Sequence, residues 1–338
     1  MTQRNGLIGL VLLAILFPFM LGQNQYVLHV ITLGFIWTIA VYGMNIIAGY
    51  TGYLSLAHAG FFAIGAYSVG LLSVKAGIGF WLALPLALMI TTMAGFLIGL
   101  IALRTEGHFF AIYTLIVGYI IYLLIDKWDS LTGGVRGLIG IPAPDPIGPI
   151  SFNSGLSMYY LVLFFLIVSI FLAVRIVHSL TGRTYIAIRN SEELAQTLGI
   201  STMKQKLISF VVSSFFAGLA GGLYASFTQF IGPDIAYTTA VFDMLMYLLV
   251  GGIGTLAGPL VGTLTIVWLT QQLQFLQELR MLIFGPILVL LIIFYPHGLV
   301  GGYMMWKQKR ILKKKKKQKN SIDYTGHTGE THQRVKEG

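Results

Sequence analysis

Apolar positions in this chain neither alternate nor recur every three or four residues; they fill continuous runs. These runs cover about 6–21, 27–48, 58–74, 81–103, 109–125, 158–177, 207–231, 237–252, 258–276 and 281–300. About twenty apolar residues in a helix cross a hydrocarbon core about 30 Å thick, whereas a spanning barrel needs alternating segments of about ten. The pattern therefore predicts an all-α polytopic transmembrane helical bundle of about ten spans. The first run follows Arg4 and looks like a secretory leader. No small-residue cleavage site follows Phe17-Pro18-Phe19-Met20, however, and further runs begin at once, so it reads as a retained helix.

Two glycine-rich interruptions separate neighbouring runs, Gly49 to Gly60 and Gly251 to Pro259. Unwound backbone at membrane depth is tolerated only where protein or a water-filled cavity satisfies it, and paired breaks in the two halves of a chain mark the path of a transporter. Ordinary turns between helices explain the same residues equally well. On the first reading Asn45, Tyr50, Thr51, Tyr53, Ser55, His58, Gly251, Gly252 and Gly254 line a substrate path. The pairs Gly95/Gly99, Gly218/Gly222 and Gly258/Gly262 have the spacing that lets helix backbones approach closely in lipid, and packing is expected of them.

Composition agrees: 56% of residues are hydrophobic and 10% charged, against about 25% charged in soluble domains. The net charge of +10 does not imply nucleic acid, because from Tyr303 onward eleven Lys and Arg face only three acids. A cationic stretch directly after the last apolar run marks a cytoplasmic end and attraction to anionic lipid. With both termini inside, eighteen Lys and Arg fall on the cytoplasmic side and four outside, the sense the positive-inside bias demands. The expected organisation is a permease domain over 1–303, with a cytoplasmic loop at 178–206 and an outer loop at 126–157, followed by a basic, disordered tail over 304–338. Lack of cysteine excludes disulfides and thiolate metal sites within the chain.

Catalytic patterns are missing. There is no HExxH, no G-x-S-x-G and no pair of carboxylates within the spans, and His29, His58, His108 and His178 stand singly. No catalytic or metal-binding residue is therefore assigned. Nor is there a P-loop, so any ATP-driven work needs another subunit. Asp243 is the one carboxylate clear of the span ends, a functional candidate because an ionisable group in hydrocarbon costs about 2.5–3.5 kcal/mol. It is expected beside the substrate path with the residues named above; it would otherwise serve an ion-coupled carrier, or a structural role near the outer end of its span.

Between two spans lies a polar stretch, Gly182 to Gly199. Asn190-Ser191-Glu192-Glu193 fits a capping box with Asn190 as the cap, and Gly199 supplies a left-handed stop. The expected helix has about eight residues, fewer than the 12–15 or so needed for marginal stability alone. It must lean on something. Leu194 and Leu198 share a face with Ala195 beside them, while Arg183, Arg189, Glu192 and Glu193 offer charge to a partner or to headgroups. An amphipathic helix lying on the membrane is the plainer alternative.

Four motifs, in order, carry a resemblance over about 27–302. They are Asn45 to Tyr67 (NIIAGYTGYLSLAHAGFFAIGAY), Thr132 to Leu138 (TGGVRGL), Gly182 to Arg189 (GRTYIAIR) and Gly251 to Pro259 (GGIGTLAGP). Together they resemble the membrane subunits of branched-chain amino acid ABC importers. The resemblance implies a permease without enzymatic activity or a cofactor of its own. It would work with a second related permease, two cytoplasmic ATPases that hold ATP and Mg, and an extracytoplasmic substrate-binding protein. It also implies that the polar stretch is the coupling helix: Gly182, Arg183, Arg189, Glu193, Leu194, Ala195, Leu198 and Gly199 would engage the ATPase. Glu193-Leu194-Ala195-xxx-Gly199 is similar to the E-A-A-xxx-G pattern of importer permeases, with leucine in the usual place of the first alanine. Thr132, Gly133, Gly134 and Arg136 would face the binding protein.

The resulting expectation is a multi-pass permease of a prokaryotic cytoplasmic membrane, importing small hydrophobic amino acids. A urea or short-amide importer of the same family is the nearest alternative, and an ion-coupled carrier using Asp243 the next. A membrane enzyme lacks an active site.

Overall fold

The computed structural model describes residues 17–18, 24–272 and 298–302. The predicted runs at 6–21 and 281–300 fall almost wholly outside these residues, and the basic tail over 304–338 does so entirely. Helix α1 spans Gln25–Met44, begins where Asn24 accepts the Tyr26 and Val27 N–H groups, and widens into a π-helical turn over Asn45–Thr51. Then come α2 (His58–Val74), α3 (Phe80–Ala102), α4 (Gly107–Lys127), the single turn α5 (Asp129–Thr132) and a two-residue strand β1 (Leu138–Ile139). After these lie α6 (Gly155–His178), α7 (Leu180–Asn190), α8 (Glu192–Thr197), α9 (Thr202–Thr228), β2 (Phe230–Ile231), α10 (Thr238–Gly251) and α11 (Gly258–Gln272).

Five of the described helical stretches are long and apolar enough to cross a membrane: 25–51, α3, α4, α6 and α9, while α2 and α10 are apolar but shorter. Each predicted run within the described residues forms a helix at nearly its predicted place. The start of α9 differs, because the polar turn from Thr202 to Lys206 is helical too, and the run taken to open at 207 opens five residues earlier.

Burial sorts the helices. Within the most apolar window of each, 83% of the first stretch and 67% of α9 is buried, against 22–33% for α3, α4 and α6. The first pair is the core and the other three are its jacket. Their outward side chains include Leu82, Met89, Met93, Phe109, Ile116 and Phe164, all exposed, a surface that suits hydrocarbon.

Glycine sets the core's tightness. A Cβ on Gly65 of α2 would collide with the Gly218 carbonyl of α9, and one on Gly221 would collide with the Phe62 carbonyl. Gly95 faces Ser214, Gly99 faces Phe210, and Gly262 lies against the Tyr247 carbonyl, so the expected small-residue pairs do pack helices together. Trp37 stacks on Phe62 with ring centroids 4.8 Å apart, filling the space beside this close approach.

The connections segregate. At one end Lys75 donates to the Ser130 carbonyl at 2.6 Å, Asp145 accepts the Phe80 N–H at 2.7 Å, and β1 pairs antiparallel with β2. At the other end the reversals 49–57 and 252–257 meet the segment 178–206. Consecutive long helices therefore alternate in direction across the described bundle.

Candidate functional site

The segment 180–199 folds as two short helices rather than one. Ser179 caps α7 and Ser191 caps α8, its hydroxyl accepting the Leu194 N–H at 3.2 Å. The cap is thus one residue later than expected, because Asn190 is still the last helical residue of α7 and Ser191 is the first with extended backbone. Helix α8 has six residues, not eight. Gly199 does stop it: at φ +81° it donates to the Gln196 carbonyl at 2.9 Å while Ile200 donates to Ala195 at 3.1 Å, a Schellman ending.

The two sides of α8 differ. Ala195 is buried, whereas Leu194 and Leu198 are 61% and 72% exposed, and Glu193 and Gly199 are exposed as well. Glu192, rather than Glu193, reaches into the bundle. Its carboxylate pairs with Lys206 of α9 at 2.6 Å and also accepts the Tyr53 hydroxyl, itself bonded by Lys206 Nζ at 3.0 Å. The Lys206 ammonium stands 4.8 Å from the centre of the Tyr53 ring. Lys206 is 4% exposed, a buried cation at the start of an apolar helix. Burial alone would push the Glu192 carboxyl up, but the bonds it accepts from Lys206 and Tyr53 outweigh this and hold it below its ordinary 4.5. Lys206 is a residue that sequence reasoning misses. The available signal is its place immediately before the apolar run, beside a helix that needs support.

Arg189 also turns toward the bundle, donating to the Gly49 carbonyl at 2.6 Å. At the end of the π-helical turn the Ile47 carbonyl takes both the Gly52 and the Tyr53 N–H, and the Gly49 carbonyl is left for a side-chain donor. Glycines make room for that side chain. A Cβ on Gly52 would come 2.8 Å from Arg189 Cγ, and one on Gly254 would come 2.8 Å from Nη1. Arg189 thus gives one guanidinium nitrogen to the first reversal while the residue as a whole stays exposed. Arg183 is exposed, and Gly182 packs tightly against the carbonyls that end α6.

The two glycine-rich interruptions meet. Asn45 is fully buried, donating to the Thr255 carbonyl at 2.9 Å and accepting the Gly254 N–H at 2.8 Å, while Tyr42 donates to the Leu256 carbonyl at 2.8 Å. A Cβ on Gly49 would come 2.6 Å from the Gly254 nitrogen. The first reversal is also fastened to α4, where Thr114 Oγ1 accepts the Leu56 N–H at 3.0 Å.

The residues expected along a substrate path are largely interior. Thr51 bonds the Ile46 carbonyl, and His58 contacts the Ala40 carbonyl at 2.7 Å and Ser213 at 3.3 Å, roughly three turns into α9. Tyr50, Ser55, Gly251 and Gly252 are buried too, while Asp243 is half-buried in the second turn of α10. The first reversal is therefore inset well below the start of α9. Helix α2, with 17 residues, is about 26 Å long, short of the hydrocarbon thickness.

At the opposite end the loop 126–157 is built around turns. Thr132 Oγ1 bonds the Ile125 and Trp128 carbonyls at 2.6 and 2.8 Å, and Gly133 and Gly134 have φ of +80° and +56°. These three residues are half-buried to buried and shape the loop, leaving Val135 and Arg136 exposed at its tip.

An apolar helical bundle with lipid-suited faces, carrying a short capped helix with an exposed leucine pair at one end, is a multi-pass membrane protein. Residues 26–292 match the model of a family described as branched-chain amino acid transport system / permease component, and the chain belongs to that family. It is 32% identical to the Escherichia coli K12 protein named high-affinity branched-chain amino acid transport system permease protein LivM, over 88% of this chain and 75% of the relative. It is 24% identical to the LivH permease protein of the same organism over 82% of this chain and 95% of the relative. A probable LivM permease of Methanocaldococcus jannaschii is 23% identical over 64% of this chain and 68% of its own length. No solved structure matches.

Proposed function

We propose that this chain is the permease subunit of an ATP-driven importer of branched-chain amino acids in a prokaryotic cytoplasmic membrane. It has no chemistry of its own, works beside a second related permease, and takes its motion from two cytoplasmic ATPases that bind ATP and Mg. Similarity to two differently named permeases of one organism supports the paired permease. The observation that carries the ATPase contact is α8: six residues cannot hold a helix alone, its inner side is anchored through Ala195 and Glu192, and its outer side presents Leu194 and Leu198. Two exposed leucines on a self-capped peg fit an apolar cleft in a soluble partner. On this reading the segment 178–206 is cytoplasmic, both termini lie on that side, about ten spans cross the bilayer, and Val135 and Arg136 at the other end meet a binding protein. Membrane lipid covers the jacket helices.

Reconstitution with both ATPases, the second permease and the binding protein tests the reading. ATP-dependent uptake of leucine, isoleucine or valine is expected, and Leu194→Asp with Leu198→Asp should release the ATPases while the permease stays folded. Uptake of urea in place of these amino acids would move the substrate assignment to the short-amide alternative. Accumulation driven by an ion gradient with no ATPase present would replace the importer reading with the carrier one, and Asp243 would then be the residue to alter.

A further inference from the structure

The segment 180–199 is tied to reversal 49–57 at two points, one through the exposed Arg189 and one through the half-buried Glu192. Arg189 at the end of α7 bonds the Gly49 carbonyl, and Glu192 at the start of α8 bonds the Tyr53 hydroxyl. These contacts hold the first half of the reversal: three residues lie between its two anchors, and two lie between those on α7 and α8. The glycines follow the same logic. Gly52 and Gly254 leave the space that the Arg189 side chain fills, and Gly49 lets the second reversal approach. Asn45, at the start of the π-helical turn, then ties the first reversal to the second through its side-chain amide, the nitrogen donating to Thr255 and the oxygen accepting from Gly254.

We infer that Arg189 and Glu192 are positioning residues that make α7, α8 and the reversal 49–57 move as one unit, so that motion of the docking helix enters the bundle through α1 and α2 and passes by Asn45 to the reversal 252–257. The helices joined covalently to the segment, α6 and α9, are then not its only route into the membrane. This explains why the glycine-rich motifs of both interruptions are gathered beside a cytoplasmic segment: their glycines seat Arg189 and each other. Lys206 completes the second tie, since its ammonium bonds both Glu192 and Tyr53.

The inference rests on the importer reading, and the test separates the two. Arg189→Met combined with Tyr53→Phe frees the reversal from the segment at both points while leaving the Glu192–Lys206 pair in place. In the reconstituted complex with ATPases and binding protein, this variant should co-purify with its ATPases as wild type does. Solute moved per ATP hydrolysed should fall about tenfold, the ratio that corresponds to losing about 1.4 kcal/mol of coupling between the two segments. Hydrogen exchange supplies the second readout. On nucleotide binding, the wild-type amides of 180–199 and of 45–57 should change together, whereas in the variant the change should stop at 180–199. Wild-type coupling and a wild-type exchange response in the variant would overturn the inference. So would a wild-type complex in which nucleotide alters 180–199 and leaves 45–57 unchanged, a result that needs no variant to assemble. A wild-type complex that shows no ATP-dependent uptake at all would instead overturn the importer reading.

Discussion

Replacing Glu192 by alanine should detach α8 from the bundle without unfolding the bundle. Lys206 is 4% exposed, and its ammonium has Glu192 Oε1 at 2.6 Å and the Tyr53 hydroxyl at 3.0 Å. Breaking a buried ion pair by removing one partner costs about 3–5 kcal/mol, since the remaining charge is left uncompensated. The Glu192 side chain is 21% exposed, and water admitted at that edge offsets part of the loss, which places the cost near the low end, about 3 kcal/mol. Because six residues have no helical stability of their own, this energy falls on local opening of α8 rather than on the whole fold. Exchange protection of the amides over 191–200 should fall about a hundredfold, as about 2.7 kcal/mol requires. Adding Lys206→Met removes the stranded cation while keeping an apolar stem of similar volume, and should restore most of that protection. A Glu192→Ala variant with wild-type exchange, or a double variant as unprotected as the single one, would refute the reasoning.

Other expectations follow from the same contacts. Gly221→Leu should cost about 3 kcal/mol or more and abolish a detergent-stable monodisperse permease, because the obstacle is the Phe62 carbonyl on another backbone; Gly155→Ala, with open space around it, should be neutral within about 0.5 kcal/mol by thermal melting. Asp145 caps α3 from the opposite loop, so Asp145→Ala should cost about 1 kcal/mol in the same assay and weaken stimulation of the assembled complex by binding protein. The depressed Glu192 carboxyl contributes stability that is complete above 4.5 and lost as pH falls through its lower folded value. A mobility label on Leu198→Cys, in a chain with no other cysteine, should therefore loosen below about pH 4.5, and should not titrate this way in a Glu192→Gln background.

How far the chain announces itself depends on the range of the interaction concerned. Continuous apolar runs fixed where the helices lie, because crossing a hydrocarbon core demands a minimum length of apolar residues, which is a local property of the chain. Gly199 likewise marked the end of α8 unaided, since a left-handed stop is settled within a few residues. The cap was misplaced by one residue because Asn190 and Ser191 are both good caps, and the choice fell to the length of the preceding α7. Nothing local could show that Glu192 rather than Glu193 points inward, since its partners Lys206 and Tyr53 lie 14 and 139 residues away. The same holds for Arg189 and Gly49, and for Asn45 with Gly254. Sequence alone decided that this is a membrane-embedded helical bundle with a polar peg. Only the packed structure decided what the peg holds, because hydrogen bonds and ion pairs between distant residues exist only after the helices have been brought together.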